Sequence, residues 1–137
     1  MIPRTSRLAS LGILASLWCV AGCGGSVVVE GTVTFKGEPV TEGAISFEAP
    51  DGSSPTFGGR IENGAYRIHD LPGEAAGQRV VRITASRKTG KKVPAGPPHP
   101  PSVLIDEIEP VPARYNQKST TIVELRKGVS NRFDFAA

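Results

Sequence analysis

Residues 27–50 read VVVEGTVTFKGEPVTEGAISFEAP, and this stretch decides the fold class. In its first part, apolar side chains recur at every second position: Val27, Val29, Val33 and Phe35. A period of two is typical of a β-strand with one face on a core and the other in water. Residues 36–39 then supply glycine and proline, which favour a turn, and the alternation resumes over residues 45–49. Two strands separated by a turn are therefore predicted.

The rest of the chain continues this pattern. Further strands are predicted within residues 56–62, 65–68, 78–87, 120–126 and 131–136. Asn63-Gly64 is the strongest short hairpin signal, because both residues tolerate the positive φ that a tight hairpin turn needs. No stretch keeps a helical period. Short strands with turn signals between them predict an all-β fold, a single antiparallel β-sandwich over residues 27–137.

Residues 88–118 differ in composition from the rest, since they hold seven of the 12 prolines. Proline lacks the donor that a sheet ladder needs and favours an extended polyproline conformation. We therefore expect a Pro-rich surface loop over residues 88–118. Within it, residues 103–105 are expected either to dock on the body or to form a short edge strand.

The beginning of the chain predicts export. Two arginines precede an uncharged, mostly apolar stretch, residues 8–20, which has the length of a signal peptide rather than of a membrane span. Small residues follow, and Cys23 comes directly after Gly22. This arrangement resembles the bacterial lipobox, in which the chain is cut before a cysteine that carries a diacylglyceryl group. The alternative is a plain secreted protein with a chance cysteine at the cleavage site.

The lipobox resemblance implies that residues 1–22 are removed by cleavage after Gly22 and that Cys23 is the lipid attachment site. Two or more acyl chains give stable membrane attachment, and residues 23–26 would form a short flexible tether. By analogy with lipoprotein sorting in diderm bacteria, the absence of aspartate at position 24 favours the outer membrane over the inner membrane. The expected location is extracytoplasmic and membrane-anchored.

Removal of the signal peptide changes the charge. Lysine and arginine fall from 16 to 14 against 13 aspartate and glutamate, which leaves a net charge of +1. A nucleic-acid-binding protein would carry a strong basic excess, so this class of partner is excluded. In the expected mature protein Cys19 would be removed and Cys23 acylated, so no thiol would remain for a disulfide, a metal or a nucleophile.

Several short motifs occur in an order along the chain that is similar to that of a known family. They are VEGTVT at 29–34, GEPV at 37–40, GAISF at 43–47, NGAY at 63–66, LPG at 71–73, RITA at 82–85, VPARYN at 111–116 and NRFDF at 131–135. The chain resembles a carboxypeptidase-regulatory-like or transthyretin-like domain, and more closely the short lipoproteins of that type in planctomycete bacteria. The resemblance implies a Greek-key sandwich of seven or eight strands and an accessory, non-catalytic role. Some transthyretin-like proteins hydrolyse a purine-derived ring, but their C-terminal Tyr-Arg-Gly-Ser motif is absent here.

The sequence gives little support for catalysis or for metal binding. The two histidines, His69 and His99, have no cysteine or spaced acidic partner that would complete a metal site. Asp106, Glu107 and Glu109 could bind calcium, although no EF-hand loop surrounds them and a solvated loop is the simpler interpretation. Because no activated nucleophile or metal set can be assembled, we predict that the protein is not an enzyme and uses no cofactor.

A basic group at the end of the 78–87 strand is the remaining candidate site. Its possible ligand contacts are Arg82, Arg87, Lys88, Lys91 and Lys92, and Arg79 lies just before them. Such a group suits a glycan or another anionic ligand, whereas lysines on an edge strand also serve to prevent aggregation. The primary prediction is a lipid-anchored, non-catalytic structural or protein-interaction module of the cell envelope, with a protein partner. The alternative is a module that binds a glycan or another anionic ligand.

Overall fold

The computed structural model describes residues 25–137; residues 1–24, which include the predicted signal peptide, the cleavage site after Gly22 and Cys23, lie outside the described residues. The described chain is all-β, with two short 3₁₀ turns and no α-helix. Its strands are β1 (Val27–Phe35), β2 (Glu38–Pro39), β3 (Glu42–Glu48), β4 (Phe57–Glu62), β5 (Ala65–Leu71), β6 (Gly77–Pro94), β7 (Leu104–Pro110), β8 (Ile122–Leu125), β9 (Ser130–Arg132) and β10 (Phe135–Ala136). The 3₁₀ turns are Gly73–Ala75 and Ala113–Tyr115.

The strands form one curled sheet in which most neighbours are antiparallel. Its main path runs β10-β1-β5-β4-β3-β6-β7, while β2 and β9 also pair with β1, and β8 also pairs with β6. Over residues 25–137, the parallel pairs are β1 with β9 and β1 with β10. The predicted all-β class is confirmed, and the curled sheet encloses a single apolar core.

The period of two over β1 is confirmed by its burial pattern. Its four alternating apolar residues are buried, whereas Glu30 and Thr32 between them are partly or fully exposed. The other large contributors to the core are Ile45, Phe47, Ile61, Tyr66, Ile68, Val81, Ile83 and Leu125. Strands β1, β3, β4, β5, β6 and β8 therefore each contribute one face to the core, as the alternation predicts.

Two edges of the curled sheet meet at Asn131, which is 7% exposed. The Asn131 amide oxygen accepts a hydrogen bond of 2.8 Å from the backbone N–H of Arg126, directly after β8. Its amide nitrogen donates to the Val28 carbonyl on β1 at 2.9 Å and to the Arg126 carbonyl at 3.0 Å. One buried side chain thus satisfies backbone groups of both edges.

The turns follow the glycine signals, but the strand pairing does not follow the chain order. Asn63 and Gly64, with φ of 51° and 79°, connect β4 to β5 with Glu62 opposite Ala65, so the predicted hairpin is confirmed. The two strands predicted from residues 27–50 both form, yet they do not pair with each other: β1 pairs with β5, and β3 lies between β4 and β6.

Residues 88–118 are more ordered than the predicted Pro-rich loop. β6 continues to Pro94, and its residues 86–88 and 92–94 pair with β7, so residues 103–105 lead into and begin a strand. The prolines lie at the ends of these strands and in the segments around them, where a missing N–H costs no ladder bond. We call residues 86–110 the arm.

Candidate functional site

The arm is a two-stranded ribbon that extends beyond the rest of the sheet. The pairing of β3 with β6 stops at Gly43 and Ala85, and the pairing of β6 with β7 begins next, at Ser86 and Pro110. Within residues 25–137, neither outer edge of the arm has a paired strand. An open edge presents unpaired backbone donors and acceptors to other chains.

A group of charges fixes the base of the arm to the turn after β1. Glu109 accepts hydrogen bonds from the Lys36 ammonium and from Arg87, whose Nη2 lies 2.9 Å from the carboxylate. These contacts, led by that of Lys36, hold the pKa of Glu109 below its usual value. The Arg87 guanidinium also lies 5.8 Å from the centre of the Phe35 ring, so the arm base packs against the end of β1.

Further out, Asp106 lies between two lysines. Its carboxylate is 2.7 Å from the Lys88 ammonium and 2.5 Å from that of Lys92, and these hydrogen bonds, Lys88 first, lower the pKa of Asp106 to about 2. The register shifts between Lys88 and Lys92, which forms a bulge at residues 89–91 that includes Gly90 at φ 83°. Glu107 accepts a 2.6 Å bond from the Thr89 hydroxyl within this bulge.

A cleft of about 620 Å³ lies beside the arm base, where β3 ends and β6 continues. We call it the edge cleft. It is lined by Phe35, residues 38–43, residues 84–88 and Ile108. Phe35 and Val40 are buried apolar residues, whereas Arg87 and Lys88 bring charge to the cleft. The edge cleft therefore combines an apolar wall, charged side chains and the open backbone edge of β6.

The arm also exposes large apolar side chains. The exposed fractions are 55% for Leu104, 48% for Ile105 and 59% for Ile108, all on β7. Adjacent exposed aliphatic residues on an open strand are typical of an interaction surface.

Four of the five predicted ligand contacts lie together on the arm. Arg87, Lys88 and Lys92 pair with arm carboxylates, and Lys91 is exposed on the bulge. Arg82 lies apart from them and is held by structural contacts, donating to Glu48 at 2.7 Å and to two carbonyl oxygens at residues 116–117 at 2.5 and 2.9 Å. Arg82 therefore fastens the segment after the second 3₁₀ turn to the sheet.

Arg79, which the sequence groups with these cations, is 2% exposed. It donates to the carbonyl oxygens of Ala75, Pro55 and Glu74 at 3.1, 3.2 and 2.6 Å, and its guanidinium lies 5.3 Å from the Phe57 ring centre. The alternation along β6 could have predicted this burial, because residues 79, 81 and 83 are two apart in sequence and share the core face of the strand. Arg79 is a structural residue that joins two loops to the sheet.

The histidines and acidic residues named as possible metal ligands do not converge. His69 Nδ1 lies 2.8 Å from Asp70, because the φ of 58° at Asp70 brings the two side chains to one side, and both are exposed. His99 is exposed in the segment that connects the arm strands. In the part of the chain that the structure describes, no group of three or more His, Cys, Asp and Glu could hold a metal ion.

Comparison with known proteins adds no relative. No protein-family model matches the chain, and searches of curated proteins and of solved structures give no match. Over residues 25–137, no helix has the length and apolar character needed to cross a membrane.

Proposed function

We propose that the protein is a lipid-anchored, non-catalytic lipoprotein of the cell envelope, which presents the arm as a protein-interaction module. Cys23, outside the described residues, is the proposed lipid attachment site, and the outer membrane is the favoured location. We further propose that the curled sheet is a Greek-key, transthyretin-like sandwich. The all-β fold supports this assignment at the level of class.

The tether and the arm base lie at opposite ends of β1, and this arrangement is the main support for the proposal. At the start of β1, the Ser26 carbonyl accepts a hydrogen bond of 3.4 Å from the Gly128 N–H, so the tether leaves beside the β8–β9 turn. At the other end, Phe35 contacts Arg87 at the arm base. The eight steps from Val27 to Phe35, at about 3.3 Å each, separate these ends by about 26 Å. A chain anchored at Cys23 would therefore hold the arm away from the membrane surface.

The form of the arm favours a protein partner. A two-stranded ribbon is marginally stable in water by itself, and here it is fixed at one end by Lys36, Arg87 and Glu109. Its open edges can accept a further strand, and its exposed apolar side chains would gain burial in a complex. Both features are explained if the arm functions when bound to another protein.

A glycan or other anionic ligand is the second candidate. Lys88 and Lys92 share the single carboxylate of Asp106, and Lys91 is exposed beside them, so positive charge is in excess at the bulge. This excess would attract an anionic polymer in a salt-dependent manner.

Crosslinking and pull-down of the tagged protein from native membranes tests the proposal. We expect one partner protein in stoichiometric yield, lost with Cys23→Ala, which removes the anchor, and with Ile108→Asp on the arm. Ile122→Asp is the matched control, because Ile122 on β8 has a similar exposed fraction of 55%. Recovery of polysaccharide without protein would favour the second candidate. Equal recovery with both aspartate variants would refute the role of the arm.

A further inference from the structure

We propose that the edge cleft binds a short extended segment of the partner protein, with alternating apolar and acidic side chains, as an additional strand beside β6. This inference rests on the proposed interaction function and adds where the partner binds and what chemistry it carries. It follows from three features: the open backbone edge, the length of that edge, and the charges on its two faces.

The backbone of β6 is open where the edge cleft lies. The Ala85 carbonyl accepts a 2.9 Å hydrogen bond from the Val111 N–H, on the β7 side. Because successive residues of a strand direct their backbone groups to opposite edges, Ser86 and Lys88 direct theirs to the open side. On that side β3 begins only at Glu42, and Gly43, opposite Ala85, is its outermost pair with β6. An added strand would therefore continue the line of β3.

The bulge limits the length of the binding edge. The regular ladder stops at Lys88, and residues 89–91 depart from strand geometry. Bulges commonly end strand pairing and protect edges. The regular open edge is therefore residues 86–88, which fits a short segment and makes an extended strand-to-strand contact along the whole arm unfavourable.

The side chains around the cleft determine which residue types the partner segment needs on each of its two faces. Phe35 and Val40 would contact one face of the added strand, and this face calls for apolar residues. The other face meets the lysine-rich bulge, where Lys88 and Lys92 share one carboxylate. Successive residues of a strand point to opposite faces, so a segment in which apolar and acidic residues alternate can satisfy both faces.

The two carboxylates that line the cleft, Glu38 and Glu42, each lie near an arginine that is shared with a second carboxylate. Glu42 lies 3.0 Å from Arg60, and Glu38 lies 3.8 Å from Arg87. The excess positive charge lies at the bulge, where Lys88, Lys91 and Lys92 stand against the two carboxylates of Asp106 and Glu107, and this favours an acidic rather than a basic side chain on that face.

The test uses the protein as it is produced and purified in mild detergent, with an end-capped hexapeptide that alternates valine and glutamate as the probe. Binding is measured by calorimetry and located by NMR. We expect shift changes concentrated at residues 41–43 and 84–88. A peptide that alternates valine and lysine should bind at least about tenfold more weakly. So should the glutamate peptide N-methylated on each glutamate, which lacks the donors that would face Ser86 and Lys88.

Protein variants provide the second part of the test. Ser86→Pro removes a donor on the open side and should abolish binding, while Lys88→Glu with Lys92→Glu should weaken it about tenfold or more. Lys118→Glu with Lys127→Glu, at two exposed lysines outside the cleft lining, is the charge-matched control and should bind normally. The N-methylated peptide keeps the test valid if Ser86→Pro fails to fold, since it uses the unaltered protein.

Three results would overturn the inference: equal binding of the lysine peptide, unchanged binding of the N-methylated peptide, or shift changes away from the edge cleft. Self-association in sedimentation that blocks the cleft would also overturn it, since the occupant would then be a second copy. Membrane fractionation of the unaltered protein tests the anchor separately. A soluble chain that still binds the glutamate peptide would refute the anchor and leave the cleft assignment intact.

Discussion

The hydroxyl of Tyr66 donates a hydrogen bond of 2.7 Å to the carbonyl oxygen of Phe133. This bond joins β5 to residues 133–137, the closing segment of the chain. Tyr66 is 3% exposed, and burial raises the pKa of its phenol. Gly31 on β1 lies against the same carbonyl, since a Cβ built on it would come within 1.8 Å of the Phe133 oxygen. The closing segment thus packs where β1 has no side chain and β5 supplies a donor.

Tyr66→Phe should lower the free energy of unfolding by about 1–2 kcal/mol, because the Phe133 carbonyl loses its donor while the ring remains. Urea denaturation measures the change. Tyr115→Phe is the control, since Tyr115 is only half-buried, and should alter stability by less than about 0.5 kcal/mol. Equal effects of the two changes would contradict the importance of the Tyr66 contact.

Gly31→Ala should be more damaging than Tyr66→Phe, because its methyl group would overlap backbone atoms rather than a flexible side chain. We expect a loss of about 3 kcal/mol or more, together with weaker hydrogen-exchange protection at β10. A stable Gly31→Ala protein with unchanged protection would show that the closing segment does not pack on β1.

Arg79→Met should destabilise the protein by about 3 kcal/mol, because methionine fills much of the space but leaves three carbonyl oxygens without the guanidinium. Thermal unfolding followed by circular dichroism measures this loss. Arg67→Met is the matched control, since 68% of its side chain is exposed, and it should change stability little. A similar small effect at Arg79 would contradict its structural role.

The arm should loosen in acid. The pKa of Asp106 is lowered to about 2 from an ordinary 3.8, so its contribution is present above pH 3.8 and is lost as the pH falls from there toward 2. NMR should show residues 104–110 losing hydrogen-exchange protection in this range before the body does. Asp106→Asn should reduce that pH dependence to the part contributed by Glu109, whose pKa is also lowered. A transition unaltered by the substitution would contradict the assignment.

Local patterns in the sequence predicted local structure well. The alternation over β1 predicts a strand, and the Asn63-Gly64 pair predicts a hairpin. Both signals involve only residues that are close in sequence, so they can be read before the fold is known. The position of β3 between β4 and β6, and the parallel pairing of β9 with β1, join residues far apart in sequence. No local pattern encodes such contacts.

The arm shows the same limit at the candidate site. Proline density predicted a loop, but the strand pairing of residues 86–94 with β7 depends on register across a long connection. The cations were visible in sequence, whereas their neutralisation by Asp106 and Glu109 was not, because it requires that register. The edge cleft could not be predicted either, since it exists only where β3 ends and β6 continues.

β1 and β6 run in the same direction through the sheet, with the tether at the start of one and the arm at the end of the other. If a bound partner pulls on the arm while the other end is anchored, tension acts along the strands in shear. The ladder hydrogen bonds between them are then loaded together, whereas a hairpin pulled open from one end breaks them one by one. The topology therefore gives this small sheet the geometry of a mechanical link that resists extension along its axis.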